Sequence, residues 1–209
     1  MSYLPPISKR ATEIMQALKT IISPPSLEFE NNDVLIVLDV IEAYRHLFTE
    51  RHISTLRNMI QTANEKDIPV LFTRWNRTDK TNHDAIDRKG HWSDYTPSDE
   101  THLLKELQDL GTHVFQVKFT NAFTNTEFQN KIKEINPSRA IIAGGWIESC
   151  VMATSKSCQE NGIYPMIVTN CSVGHRGLAL ASLVSFQTIT GDVVYYEQSE
   201  IGDQTKKED

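Results

Sequence analysis

Three residues in this chain combine into a set that could perform covalent catalysis: Asp39, Lys118 and Cys150. Cys150 comes shortly after an apolar run that ends in two glycines, so we expect it at the start of a helix. There the positive end of the helix dipole lowers the pKa of a thiol. Asp39 and Lys118 each end an apolar run, which predicts that each lies at the end of a strand. A carboxylate that accepts the thiol proton, an ammonium that favours the ionised groups and a nucleophilic sulfur together predict attack on a carbonyl carbon.

Each residue also has a purely structural interpretation. A free cysteine is most often a small buried apolar residue. A strand-end aspartate commonly caps a turn, and a lysine at a strand edge is commonly solvated. Gly144 and Gly145 would let the backbone N–H groups of Trp146 and Cys150 point at one oxygen and form an oxyanion hole, but a plain tight turn fits the same residues.

Alternating strand and helix patterns surround these residues. The pattern predicts strands over 34–39, 69–73, 113–118, 139–143, 165–169 and 193–196, and helices over 7–22, 53–63, 102–110, 124–135, 150–161 and 178–189. Residues 74–97 are polar and aperiodic, which is typical of a long functional loop. Repeated alternation predicts a parallel sheet covered on both faces, with its ligand beyond the carboxyl ends of the strands.

Length and composition limit the function further. The 209 residues suit one α/β domain over 26–209, preceded by an N-terminal helical extension over 1–25 that docks on this domain or on another subunit. The net charge of −6 argues against a nucleic-acid partner. Three cysteines do not suggest a disulfide framework, so we expect a cytoplasmic protein. We expect no membrane span and no signal peptide, because charged residues interrupt the apolar stretches.

The segments around the three residues resemble the isochorismatase-like cysteine hydrolases, from about Val34 to Tyr196. The matching features are the strand ending in Asp39, Thr73-Arg74, Lys118 followed by Ala122-Phe123, and Gly144 followed by Cys150-Val151. The resemblance implies a doubly wound, Rossmann-like six-stranded parallel sheet with helices on both faces. It also implies a catalytic triad of Asp39, Lys118 and Cys150, a cis peptide bond between Gly145 and Trp146, and a homo-oligomer such as a dimer or tetramer.

Two departures from the family bear on the reaction. Ile41 stands where family members often have glutamine, which puts the substrate in doubt. The nicotinamidase branch holds a metal with an Asp-x-His motif and a further histidine, whereas His83 here has no companion at ligand spacing, so we expect neither metal nor cofactor. True isochorismatases, which cleave a vinyl ether, generally lack the cysteine, so Cys150 favours acyl transfer.

The sequence therefore predicts a metal-independent cysteine hydrolase that cleaves a C–N bond of a small amide or ureido compound through an acyl-enzyme intermediate. Two alternatives remain open: a non-catalytic small-molecule-binding protein of the same fold, and a vinyl-ether hydrolase that uses Asp39 alone. His175 could touch substrate, although a place at the start of a helix suits it better, and we expect Cys158 and Cys171 to be structural. The predicted substrate pocket consists of Tyr44, Arg74, Trp75, Trp92 and Trp146.

Overall fold

The fold is built on one six-stranded parallel sheet. The computed structural model describes residues 7–75, 102–111, 113–117 and 119–197. The strands are β1 (Asp33–Leu38), β2 (Val70–Trp75), β3 (His113–Val117), β4 (Arg139–Gly145), β5 (Tyr164–Val173) and β6 (Asp192–Val194). Their order is β3-β2-β1-β4-β5-β6, and every neighbouring pair is parallel. The predicted doubly wound parallel sheet is confirmed.

Helices cover both faces of this sheet. They are α1 (Ile7–Ile22), α2 (Glu50–Glu65), α3 (Thr126–Ile135), α4 (Met152–Glu160) and α5 (Arg176–Ile189). One apolar layer includes Leu56 and Ile60 of α2, and the other includes Phe128 of α3, Cys158 of α4 and Leu183 of α5. The central strand β1 is buried along its whole length, because it contributes alternate side chains to the two layers.

The predicted helix over 102–110 is wrong. Leu103 pairs with Ile41 in an antiparallel bridge, and the backbone N–H of Leu104 donates to the carbonyl of Val40 at 3.1 Å. Only Gln108–Leu110 forms a turn of 3₁₀ helix. The apolar spacing of this segment reflects burial against the chain that follows β1, and those contacts replace the local hydrogen bonds of a helix.

The helix predicted to begin at Cys150 starts later. A π-helical turn spans Ile147–Val151 and contains Cys150, and α4 begins only at Met152. Cys150 therefore lies in an irregular turn between β4 and α4, close to the helix N-terminus but outside the α-helix. π-turns of this kind are common at functional sites.

The N-terminal helix α1 packs against α5 of the same chain. Apolar side chains remain exposed on both helices, among them Met15 (56% exposed) and Leu178 (61% exposed). The expected homo-oligomer and the domain boundary at residue 26 stay predictions. Within the described ranges, no helix has both the length and the apolar character needed to cross a membrane.

Candidate active site

The carboxyl ends of β1 and β4 meet at the centre of the sheet. These two strands are neighbours, yet the chain visits β2 and β3 on one side before it crosses to β4 on the other. This reversal of strand order is where ligands bind in open α/β sheets. The register aligns Leu38 with Gly144, so Asp39 and the segment leading to Cys150 leave adjacent strands at the same edge.

Close backbone contact brings these two strand ends together. Gly144 has a φ of 107°, and a Cβ atom at this position would lie 2.1 Å from the carbonyl oxygen of Leu38. Only glycine fits such an approach, so this glycine does more than form a plain turn. Asp39 itself has a left-handed backbone, with a φ of 51°. Strained backbone of this type is often found at functional sites.

Asp39 is a buried carboxyl group with several hydrogen-bond donors around it. The hydroxyl of Thr73 donates to Asp39 Oδ1 at 2.9 Å, and the Cys150 thiol and the Trp75 backbone N–H also hydrogen-bond this carboxylate. Burial raises the pKa of Asp39 from 3.8 to about 6, although these hydrogen bonds act in the opposite direction. At neutral pH the carboxylate is therefore ionised, and its pKa is high enough for a general base.

Cys150 has the opposite protonation state from the one that its position near a helix suggests. Burial, followed by the negative charge of Asp39 and the hydrogen bond to it, raises the pKa of Cys150 well above its ordinary value of 9.0. Hydrogen bonds from the Trp146 backbone N–H and the Ser149 hydroxyl lower this pKa but do not outweigh burial. Burial and Asp39 thus raise the pKa of this thiol, whereas its place near a helix start predicts a lowered one; the effect of Lys118, which lies outside the described residues, stays a prediction. The resting pair is a neutral thiol that donates to a carboxylate.

The peptide bond between Gly145 and Trp146 is cis, as the resemblance implied. The N–H of Trp146 faces the sulfur of Cys150, and the carbonyl of Trp146 accepts from the N–H groups of Ser149 and Val151 at 3.0 and 3.1 Å. One of the two N–H groups assigned to the oxyanion hole therefore borders the nucleophile. The oxyanion hole itself stays a prediction.

Of the predicted pocket residues, Tyr44 and Trp146 contact each other just before the Cys150 turn. The ring of Tyr44 meets the indole of Trp146 edge-on, with 5.7 Å between ring centroids. Trp75 ends β2 and is 7% exposed, and its backbone N–H donates to Asp39. Arg74 lines a groove with other side chains of the sheet edge and of the 102–108 segment, namely His102, Leu103, Gln108 and Val114. Its role toward substrate stays a prediction.

Several predicted residues lie outside the described ranges or have another environment. Lys118, Trp92 and His83 fall outside the described residues. Within those residues, no three His, Cys, Asp or Glu side chains lie close enough together to hold a metal ion. Ile41, the departure from the family pattern, is fully buried in the apolar layer on the α2 side.

Thr73 and Glu148 were missed as site residues. Thr73 follows the apolar residues of β2 and is fully buried. It ends the predicted strand over 69–73, although β2 continues to Trp75, and a hydroxyl beside the end of β1 was the signal for it. Glu148 binds His175, which precedes α5 at the predicted helix start. The sequence separation of 27 residues between them carries no local signal.

Comparison with known proteins agrees with this architecture. Residues 33–193 match the isochorismatase domain family. No curated protein sequence matches the chain significantly.

Solved structures show the same fold. N-carbamoylsarcosine amidase from Thermoplasma acidophilum has a TM-score of 0.68 at 16% identity, over 82% of this chain and 99% of that one. Nicotinamidase from Bacillus subtilis has a TM-score of 0.67 at 17% identity, over 78% and 99%. An isochorismatase from Pseudomonas putida KT2440 has a TM-score of 0.64 at 16% identity, over 92% and 97%. Since the family match spans most of the chain and includes both strand ends of the site, this protein belongs to the isochorismatase domain family of hydrolases.

Proposed function

We propose that this protein is a cysteine hydrolase that cleaves the C–N bond of a small amide or ureido compound through an acyl-enzyme intermediate. The observation that carries the proposal is the burial of the Cys150 thiol beside the Asp39 carboxylate, where each group shifts the pKa of the other. A buried thiol with a carboxylate base beside it, at the switch point of the sheet, is the smallest unit that nucleophilic catalysis needs.

The first half of the reaction forms the acyl-enzyme. Cys150 Sγ attacks the substrate carbonyl carbon while Asp39 takes the thiol proton, so that no free thiolate has to form beforehand. The tetrahedral oxyanion accepts hydrogen bonds from the backbone N–H groups of Trp146 and Cys150, each contributing about 2.7–4 kcal/mol to transition-state stabilisation. The C–N bond then breaks, and Asp39 returns the proton to the leaving nitrogen.

The second half releases the acyl group. A water molecule attacks the thioester carbonyl, and Asp39 accepts one of its protons. The C–S bond breaks, the sulfur is reprotonated from Asp39, and the carboxylic or carbamic acid leaves. Lys118 follows β3 directly in the sequence, and we assign its ammonium to stabilising the negative charge that Asp39 and Cys150 share.

Two facts support the C–N bond as the target. A cysteine nucleophile suits acyl transfer, whereas vinyl-ether hydrolysis proceeds by protonation and addition of water and needs no nucleophilic side chain. Two solved structures with the same fold carry the names nicotinamidase and N-carbamoylsarcosine amidase, both of which denote cleavage at an amide or carbamoyl group. At 16–17% identity they support the fold of this chain, and the reaction class remains our proposal.

The experiment is a panel of small amides, ureas and carbamates assayed for ammonia release by the wild-type protein, Cys150→Ala and Cys150→Ser. We expect turnover of at least one compound by the wild type and none by either variant. An acid quench followed by intact-mass measurement and peptide mapping should find the acyl adduct on Cys150. The buried Cys158 and Cys171 serve as internal controls and should remain unmodified.

The panel also tests the two alternatives. Turnover by Cys150→Ala equal to that of the wild type would exclude covalent catalysis and favour a hydrolase that depends on Asp39 alone. Binding without turnover of any compound would favour a non-catalytic binding protein.

A further inference from the structure

Beside Cys150, a glutamate and a histidine form a pair that the proposed mechanism does not use. Glu148 lies in the turn that contains Cys150, and His175 lies between β5 and α5. Glu148 Oε1 accepts a hydrogen bond from the backbone N–H of His175 at 3.0 Å and lies 2.5 Å from the ring atom Nδ1. Because an ionised carboxylate only accepts hydrogen bonds, Nδ1 carries the proton between them.

The imidazole lies against the residue that precedes this turn. Its ring stacks on the indole of Trp146, with 4.6 Å between centroids and 30° between planes. The sheet register explains the contact, since Gly145 pairs with Val173 and the following residues leave β4 and β5 side by side. The backbone N–H of the same Trp146 faces the Cys150 sulfur, so the residue on which the histidine stacks also borders the nucleophile. Its side chain is 63% exposed.

The glutamate fixes the orientation of the histidine. Its side chain is only 13% exposed, and a Cβ atom on Gly174 would lie 2.3 Å from Glu148 Oε2. A carboxylate enclosed in this way cannot move to another partner as a surface glutamate does. With Nδ1 bound to Glu148, Nε2 is the remaining ring nitrogen, and none of the described residues hydrogen-bonds it.

We propose that His175 Nε2 is a specificity-determining group that donates a hydrogen bond to an oxygen acceptor on the part of the substrate remote from the scissile bond. A neutral ring with its proton on Nδ1 can only accept a hydrogen bond at Nε2, so this contact requires the doubly protonated ring. With Glu148 as the counter-ion, that ring donates through Nε2–H to a carboxylate or a carbonyl oxygen. This inference rests on the proposed function for the bond that is cleaved, but the binding contact does not depend on turnover. Glu148 is a positioning residue that acts through His175.

The test uses three matched amides that differ only at the far end: succinamate with a carboxylate, succinamide with a carbonyl, and butanamide with a methyl group. For each amide, kcat and KM are measured on the wild type, His175→Gln and His175→Asn. The glutamine amide nitrogen reaches about the position of Nε2, whereas the asparagine amide nitrogen matches Nδ1 and keeps only the contact with Glu148. Arg176→Gln is the matched control, since Arg176 is the exposed neighbour on the first turn of α5.

We expect the ratio of kcat/KM for the oxygen-bearing amides over butanamide to fall about tenfold in His175→Asn, mainly through KM, because one lost hydrogen bond of this type is worth about that factor. His175→Gln should keep the ratio, and Arg176→Gln should change it less than about twofold. A preference for succinamate over succinamide would identify a carboxylate as the acceptor, and equal use of both would identify a carbonyl oxygen.

Other outcomes overturn the inference. Retention of the ratio in His175→Asn together with its loss in His175→Gln would show that the histidine serves only to hold Glu148. An equal loss in Arg176→Gln would show that the positive charge at the start of α5, and not a hydrogen bond from His175, causes the preference. If the wild type hydrolyses none of these three amides, the wider panel of amides, ureas and carbamates still decides the proposed function, and calorimetric binding of the same three compounds decides this inference. Tighter binding of succinamate than of butanamide, lost in His175→Asn, supports it, and equal binding refutes it.

Discussion

The replacement Asp39→Asn should make the protein more stable at neutral pH while it abolishes turnover. The folded pKa of about 6 exceeds the ordinary value of 3.8, because burial disfavours the charge. This difference corresponds to about 3 kcal/mol, since each pH unit is worth about 1.4 kcal/mol. The sign of this pH dependence follows from linkage. The stability that Asp39 contributes in its protonated form is fully present below pH 4 and is lost as the pH rises through 6. An uncharged amide avoids that loss.

Asparagine suits this position in other respects. It tolerates the left-handed backbone of residue 39, where φ is 51°, better than other non-glycine residues do. Its carbonyl oxygen can still accept the hydrogen bond from Thr73. The gain above pH 7 should therefore be at most about 3 kcal/mol, because the amide nitrogen cannot accept from the Trp75 N–H or the Cys150 thiol as the carboxylate does. For a chain of this size the upper value corresponds to a rise in Tm of roughly 6–12 °C.

Urea unfolding at pH 7.5 and at pH 4, for wild type and variant, measures this effect. Asp33→Asn is the matched control, because Asp33 is equally buried at the other end of β1 but is held by Arg139 in a two-pronged ion pair with both distances at 2.7 Å. That variant should lose about 1–3 kcal/mol, because it breaks the ion pair. A loss of stability in Asp39→Asn at pH 7.5, or a gain of equal size at pH 4, would refute the reasoning. A loss would also show that a cation, with Lys118 as the candidate, outweighs burial.

Three further predictions concern the site. Cys150→Ser should retain the unfolding free energy of the wild type within about 1 kcal/mol and lose all turnover, as measured by urea unfolding and ammonia release; residual turnover above about a thousandth would contradict the assigned role. The pH dependence of kcat/KM should show an acid limb near pH 6, because Asp39 must be ionised to accept the thiol proton; a rate that stays constant down to pH 4.5 would exclude it as the base. Gly144→Ala should lower the free energy of unfolding by more than about 3 kcal/mol in urea unfolding, because its Cβ would meet the Leu38 carbonyl at 2.1 Å. Gly162→Ala, with a φ of 76° and no atom within 4 Å, should lower it by about 1 kcal/mol. Equal losses would mean that backbone conformation alone decides both.

The sheet and the central pair of the site were predictable from the sequence for one physical reason. Buried parallel strands appear as continuous apolar runs, and an ionisable residue at the end of such a run must lie at the edge of the sheet. The ends of these apolar runs therefore placed Asp39 and the Cys150 turn without any knowledge of contacts. Helical spacing and the stop at Ser23-Pro24-Pro25 predicted the bounds of α1, which ends at Ile22.

Other features depend on contacts between residues distant in sequence, which the hydrophobic pattern of the sequence does not predict. The apolar spacing of residues 103–107 predicted a helix, but Leu103 and Leu104 satisfy their burial against the chain after β1. The protonation of Cys150 depends on how deeply the turn is buried and on the charge of Asp39, neither of which the local sequence specifies. The Glu148–His175 pair likewise exists only because β4 and β5 are neighbours.

The contact between Gly144 and the Leu38 carbonyl has a practical meaning for protein engineering. It is main chain against main chain, so the ladder of β1 and β4 sets the distance between the two strand ends that lead to the base and the nucleophile. Libraries that vary the apolar layer on the α2 side, to which the Cys150 turn does not belong, should therefore yield many variants with altered rigidity or heat tolerance in which these strand ends keep their alignment. Insertions or deletions that shift the register of β1 against β4 by one residue should yield almost no variants with this alignment.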